Sequence, residues 1–387
     1  MNIKIIGKKI MASMAIATTL LSTSTIYAQE TVKIGANYEL SGAAASYGQQ
    51  MLEGLELAVE KVNEAGGVLD GQEIEIISYD NKSDVTESAS VAQRLVSDDV
   101  VGVVGPATSG NTQAQIPIFT EAQIPMVSPS ATDDGITLDS AGDVLEYFFR
   151  VCFNNSYQGS AGAAFAADNL SAKSAIIFVD QSSDYSRGLA DNFIAEFEKR
   201  GGTVVLEDSF TAGDTDFSAI LTSALSQEFD VIYIPAYYTE AGLIIKQARE
   251  MGIEQAIIGP DGFSSDVLVE LAGAENANDV YFTDHFSDAS EEESIQSFLA
   301  DFEDKFGKEG GTWNALGYDA AMLIIDAIER SGSTDPQVIA EAIAVTEEFQ
   351  GVTGTFAIDE NHNPVKPAVM IELQNGEIAS AENISAE

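Results

Sequence analysis

Short apolar runs alternate along the chain with longer segments whose apolar residues return every three or four positions. "VKIGANYEL" predicts a strand leading into a Ser-Gly turn. Leu52, Leu55, Val59 and Val62 then fall on one face of a helix that stops at Gly66-Gly67. "EIEIISYD" predicts a second strand, followed by a helix from about Asp84 to Ser97. "VVGVV" and "IPMVSPS" are strands on either side of the helix-like "TQAQIPIF". After Arg150 the rhythm restarts with a helix near 157–169, "SAIIFVD", a helix over 186–200, "TVVLED", a helix over 214–226, "DVIYIPA", a helix over 239–251 and "AIIGPDG". Helices over 291–306 and 314–330, then short strands near 353–358 and 367–373, close the chain in a different rhythm.

Short apolar strands separated by amphipathic helices predict parallel sheets covered by helices on both faces. The break near residue 154 divides them into two series. The expected fold is α/β, with two doubly wound parallel-sheet lobes. The tail is expected to return to each lobe in turn. That gives a first lobe over 29–154 and 285–355 and a second over 155–284 and 356–387. Both series contain a strand ending in Gly-Pro, "VVGPATSG" and "IIGPDGF", which suggests that the lobes are alike. Ligands of open parallel sheets sit beyond the carboxyl ends of the strands, so two facing lobes would enclose one in a cleft.

The first 28 residues stand outside this rhythm. Lys4, Lys8 and Lys9 precede the apolar stretch Ile10 to Leu21, and "STIYA" ends in a small residue, as in a secretory signal cleaved after Ala28. No cysteine lies near that point, so the expected product is exported, periplasmic and not lipid-anchored. The chain has 18 basic and 62 acidic residues, a net charge of −44. Cleavage removes three lysines and no acid, so the negative charge deepens. Such a charge argues against nucleic acid or an anionic membrane as partner and suits a strongly solvated surface in salty surroundings. Cys152 is the single cysteine, which excludes an intramolecular disulfide. Its place in "YFFRVCF" predicts a buried, inert thiol.

Catalytic patterns are missing. His285 and His362 are the two histidines and share no ligand spacing, so both are read as solvated or structural, and no metal or cofactor is expected. "GVVGPATSG" lacks the GxGxxG spacing and the lysine of a phosphate loop, and Pro106 removes an amide donor. Strand ends offer better chemistry. Ser109 reads either as a donor to a carboxylate, with the amides around it, or as a helix N-cap. Ser130, Ala131 and Thr132 follow the next strand. Asp261 ends a strand of the other series, as a turn residue or as a partner for an ammonium group. Tyr47, Tyr185, Tyr237, Tyr238 and Trp313 lie at turns and helix starts, where they can line an apolar pocket.

These stretches in order, "GANYELSGAAASYGQQMLEGLELAVEKVNEAGGV", "YDNKSD", "GPATSG", "SPSATD", "FFRVCFNNSYQG", "YSRGLA", "YYTEAGLIIKQAREMG" and "GPDGF", resemble the branched-chain amino-acid-binding family. These are periplasmic solute-binding proteins of ABC transporters with the type I fold. The resemblance implies three crossover segments between the lobes and a hinge that closes on one ligand. It also assigns roles. Ser109, the backbone around Ser130 and Ala131, and the Thr132 hydroxyl would hold an α-carboxylate. Tyr237 and Asp261 would meet an α-ammonium, and Tyr47, Tyr185 and Trp313 would wall the side-chain pocket. Asp261 stands where the family often has Glu, one methylene longer, so its ammonium contact is expected to be water-mediated. The implied function is capture of an apolar, branched-chain-type amino acid by a monomer that delivers it to permease subunits in the membrane. Alternatives are an amide, urea or aromatic carboxylate in the same fold, for which Trp313 is the best argument, or an exported hydrolase.

Overall fold

The computed structural model describes residues 31–287, 290 and 292–384. The predicted signal segment therefore lies outside the described residues. Five strands form the first sheet: β1 (Val32–Tyr38), β2 (Ile74–Asp80), β3 (Gly102–Val104), β4 (Met126–Ser128) and β5 (Phe148–Arg150). All are parallel, in the order β2-β1-β3-β4-β5. The second sheet begins with β6 (Ser174–Asp180), β7 (Thr203–Phe210), β8 (Val231–Tyr233), β9 (Ala256–Gly259) and β10 (Val280–Asp284). A small antiparallel pair, β11 (Phe349–Gly351) and β12 (Gly354–Phe356), stands apart from both sheets. Strands β13 (Ala368–Gln374) and β14 (Glu377–Ile384) then join the second sheet, giving the order β14-β13-β10-β9-β8-β6-β7.

Numbered within its own lobe, each parallel set has the order 2-1-3-4-5, so the lobes repeat one topology. The Gly-Pro likeness read from the sequence is not the reason. Gly105-Pro106 follows the third strand of its set and Gly259-Pro260 the fourth. The second sheet also departs from a purely parallel one, because β13 pairs antiparallel with β10 and β14 with β13.

The helices before the first crossing are α1 (Ala45–Glu64), α2 (Val85–Ser97), α3 (Ser109–Gln113) and α4 (Ile116–Ala122). Those between the first and second crossings are α5 (Asn155–Ala164), α6 (Asp184–Lys199), α7 (Ser218–Ala224), α8 (Tyr238–Glu250) and α9 (Asp266–Ala272). Then come α10 (Glu293–Phe306), α11 (Thr312–Ser331) and α12 (Pro336–Ala344), of which α10 and α11 pack against α1 of the first lobe. The chain thus passes between lobes three times: after β5, after β10 and before β13. Several helices begin where a polar side chain caps them. Asp84 accepts from Glu87 N and Ser183 from Ser186 N, satisfying amides that a first turn leaves unpaired. The helix expected near 157–169 starts two residues earlier and ends in a π turn over 165–169.

The α1–α11 contact sets the first lobe's geometry. A Cβ on Gly54 would stand 1.9 Å from the Asn314 carbonyl oxygen, and one on Gly317 would stand 2.1 Å from that of Met51. Two bare backbones therefore touch, bringing the helix starts that carry Tyr47 and Trp313 side by side. No helix among the described residues is long and apolar enough to cross a membrane.

Candidate functional site

In a 2-1-3-4-5 sheet the chain reverses direction between the first and third strands, and ligands collect there. In the first lobe this point lies between the loops after β1 and β3. Glu39 follows β1 and is fully buried. Its carboxylate accepts from the amides of Ala107 (3.0 Å) and Thr108 (3.1 Å), the Thr108 hydroxyl (2.7 Å) and Asn111 Nδ2 (2.8 Å). The loop that looked like an anion cradle is thus filled from within. Those two amides hold Glu39 and are not offered to a ligand. Thr108, not Ser109, is the N-cap residue of α3, and Ser109 is its first helical residue, 1% exposed.

The second lobe brings its equivalent loops, after β6 and β8, to face the first. Between them lies a narrow cavity of about 10 Å³, lined by Tyr47, Ala107, Ser130, Tyr185, Tyr237, Asp261, Gly262 and Trp313. That is about the room of one water molecule, so the lobes lie close together here and the site is identified by its lining and not by its size. Larger grooves open around Glu309 and Gly311 (about 230 Å³) and beside Lys366 (about 530 Å³). The convergence of hydroxyls, a buried carboxylate and aromatic rings is at the small one.

Asp261 is its chemical centre. The residue is 2% exposed, and its Oδ1 accepts from the Tyr185 hydroxyl at 2.6 Å. Oδ2 lies 3.3 Å from His285 Nε2. The Asp261 backbone amide donates to Gln158 Oε1 at 2.7 Å, which fixes the start of the turn. An ionised carboxylate has about four acceptor sites, so two donors leave room for a cation. Burial pushes the Tyr47, Tyr185 and Tyr237 hydroxyls well above their ordinary pKa, and the Asp261 charge adds to it, so all three are neutral donors.

The aromatic wall is continuous. Tyr185 stacks on Tyr237 with centroids 4.7 Å apart, and Tyr47 meets Tyr237 at 5.9 Å and Trp313 at 4.9 Å, both edge-on. The Tyr47 hydroxyl donates to the Gly262 carbonyl at 2.6 Å, and Trp313 Nε1 donates to the Ser264 carbonyl. Tyr185 therefore serves two purposes: its ring forms wall and its hydroxyl grips Asp261.

Of the nine residues expected at the site, six line this cavity: Tyr47, Ser130, Tyr185, Tyr237, Asp261 and Trp313. The other three, Ser109, Ala131 and Thr132, are buried behind it. The Ser109 hydroxyl accepts from the Asp133 amide at 3.2 Å, and its backbone acts on the Tyr237 hydroxyl. The Ala131 amide is engaged by Ser128 Oγ (2.9 Å) and its carbonyl by Arg150 (2.9 Å). The Thr132 hydroxyl is buried with no hydrogen-bond partner, an uncommon and costly condition that an acceptor at the site would relieve. Ser130 donates to the Ala107 carbonyl at 2.7 Å.

Sequence reasoning missed Glu39, Gln158 and His285. Glu39 and His285 each stand directly after a strand, so the strand-end rule applied to β1 and β10 would have found them. Gln158 lies inside α5 and gives no such signal. His285 and His362 are both buried, His285 against Phe153 and His362 against Phe149, so neither is solvated. Among the described residues no group of His, Cys, Asp and Glu is arranged to hold a metal ion.

Comparisons with known proteins agree with this geometry. Residues 31–377 match the sequence profile of a family described as "Periplasmic binding protein". The Leu/Ile/Val-binding protein homolog 3 of Brucella melitensis is 31% identical over 379 residues, covering 97% of this chain and 99% of that one. The branched-chain amino acid transporter substrate-binding protein LivJ of Streptococcus pneumoniae, solved in complex with isoleucine, is 40% identical with a TM-score of 0.86, over 92% of this chain and 100% of that one. The leucine-binding protein LivK of Thermotoga maritima is 38% identical with a TM-score of 0.85, over 92% and 99%. With the family profile spanning nearly all described residues, and two lobes of one topology facing across a small polar-ended cavity, this chain belongs to the branched-chain amino-acid-binding branch of the periplasmic binding protein family.

Proposed function

We propose that this protein captures one small zwitterionic amino acid, branched-chain or otherwise apolar, between its lobes and delivers it to an ABC permease. The observation that carries the reading is Asp261, a buried carboxylate in an aromatic-walled cavity with neutral hydroxyls around it. A zwitterion needs an acceptor at its ammonium, donors at its carboxylate and an apolar wall between them. Asp261 and Tyr237 supply the first, the Ser109 and Thr132 hydroxyls with the backbone at Ser130 the second, and Tyr47, Tyr185 and Trp313 the third. Charge-assisted hydrogen bonds to neutral donors are strong enough to hold the carboxylate without a cation. Closure removes water, which strengthens each contact and favours the closed shape that a permease distinguishes from the open one.

The names of the relatives support this class of ligand. In this reading the protein acts by binding, without covalent chemistry, as an exported periplasmic monomer whose leader is cleaved after Ala28. Its acidic surface has no affinity for nucleic acid. A second reading, a neutral amide or an aromatic carboxylate, draws on Asp261 already accepting from Tyr185 and His285 and on the flat face of Trp313. Mass spectrometry of whatever small molecule copurifies, followed by calorimetry with amino acids, urea, a simple amide and benzoate, separates the two. One-to-one binding of an apolar amino acid is expected. Binding of urea, amide or benzoate without amino-acid binding would overturn the zwitterion assignment.

A further inference from the structure

His285 is the first residue after β10, at the second crossing between the lobes. Its imidazole stacks on Phe153 of the first crossing, with centroids 4.0 Å apart and planes 18° from parallel. Trp313 of α11 approaches edge-on at 6.4 Å. Lys366, on the third crossing, is close enough to act on the ring's ionisation. All three interlobe segments thus converge on one buried ring. Its Nε2 faces Asp261 Oδ2 at 3.3 Å, on the carboxylate oxygen that Tyr185 does not hold.

We infer that His285 is a positioning and specificity-determining residue for the ligand ammonium group: it fixes the Asp261 carboxylate from the hinge. The inference rests on the zwitterion reading above. A carboxylate held by Tyr185 alone can turn about its Cβ–Cγ bond. A second donor on the other oxygen sets its plane and aims the remaining lone pairs into the cavity. Burial lowers the imidazole pKa to about 4, so at neutral pH the ring is an uncharged donor. An uncharged donor orients the carboxylate while leaving its full negative charge for an ammonium, which a cationic partner would cancel. The ring that sets the carboxylate is itself held among the crossings, by Phe153 and Trp313.

The test compares L-leucine with 4-methylpentanoate, the same molecule without its amino group, by calorimetry. His285→Phe keeps the stacking on Phe153 and removes the donor, and His285→Gln returns an N–H near the Nε2 position. Wild type should prefer leucine. His285→Phe should weaken leucine binding about tenfold or more while changing 4-methylpentanoate little. His285→Gln should restore most of the preference, and in an Asp261→Asn background His285→Phe should cost nothing further. Should the Phe ring fail to seat, His285→Leu makes the same comparison. An equal loss for both ligands, an unchanged preference, or losses that add in the Asp261→Asn background would each overturn the inference. A wild-type protein that binds no amino acid overturns the functional reading as well, so the two failures are told apart.

Discussion

The Tyr47 hydroxyl on the first lobe donates a 2.6 Å hydrogen bond to the Gly262 carbonyl on the second, beside the cavity that both residues line. The same hydroxyl accepts from the Tyr238 amide at 3.3 Å, and the Tyr238 hydroxyl returns across the cleft to the Ala43 carbonyl at 2.7 Å. Neutral bonds of this kind exist only with the lobes together, so they add to closed-state stability and not to first encounter. Tyr47→Phe keeps the ring against Trp313 but removes the latch. Ligand affinity should fall by a net of about 0.5–1.5 kcal/mol, roughly two- to twelvefold. Stopped-flow kinetics should place the change in dissociation, with association nearly unaltered.

Asp284 and His285 are neighbours whose pKa values move in opposite directions. Burial raises Asp284 to about 6 and lowers His285 to about 4. By itself, His285 loses stability for the fold as pH drops from about 6.5 to 4, because the unfolded chain binds the proton first. Asp284 does the reverse: below pH 6 the folded chain takes the proton that the unfolded one does not bind until about 4. Each shift is worth about 3 kcal/mol, and the two nearly cancel. Urea unfolding between pH 7 and 4.5 should expose them singly. Relative to wild type, His285→Gln should gain stability on acidification and Asp284→Asn should lose it.

Gly54 and Gly317 have no space for a methyl group, since each would press on backbone and not on a movable side chain. Alanine at either position should separate α1 from α11 and destabilise the protein by about 1–3 kcal/mol or more. Thermal denaturation measures that loss. Leucine affinity should fall with it, because the same two helices carry Tyr47 and Trp313.

Cys152 is completely buried against the Ala131 carbonyl, and burial raises its pKa to about 12. A thiol held neutral and out of solvent should not react with a thiol reagent in the native state. Spectroscopic titration should find no reactive thiol in the folded protein and one equivalent after denaturation.

The β-α rhythm made both lobes legible because most parallel strands are short apolar runs followed by a helix with a buried face. β10, which runs parallel to β9 and leads into a crossing, is a strand the rhythm did not predict. The strand-end rule then placed Ser130, Tyr237 and Asp261 at the cavity. Other parts leave weaker traces. Helices α9 and α12, seven and nine residues long, carry only about two turns of apolar spacing each. β14 is an edge strand with mostly exposed residues, so it lacks apolar alternation. At the site, sequence does not say which way a side chain turns. Tyr185 was legible as aromatic wall, but its bond to Asp261 depends on two loops 76 residues apart meeting. The Ala107 and Thr108 amides looked free for a ligand until folding brought Glu39 beneath them.

In the proposed function Asp261 is the ammonium acceptor on which capture of a zwitterion depends. Calorimetric titration of L-leucine into wild type and Asp261→Ala measures it. The prediction is one-to-one binding by the wild type, weakened by about 2–5 kcal/mol, roughly thirtyfold or more, in the variant, where a charge-paired contact has lost one partner. Equal affinity in the two proteins would contradict it.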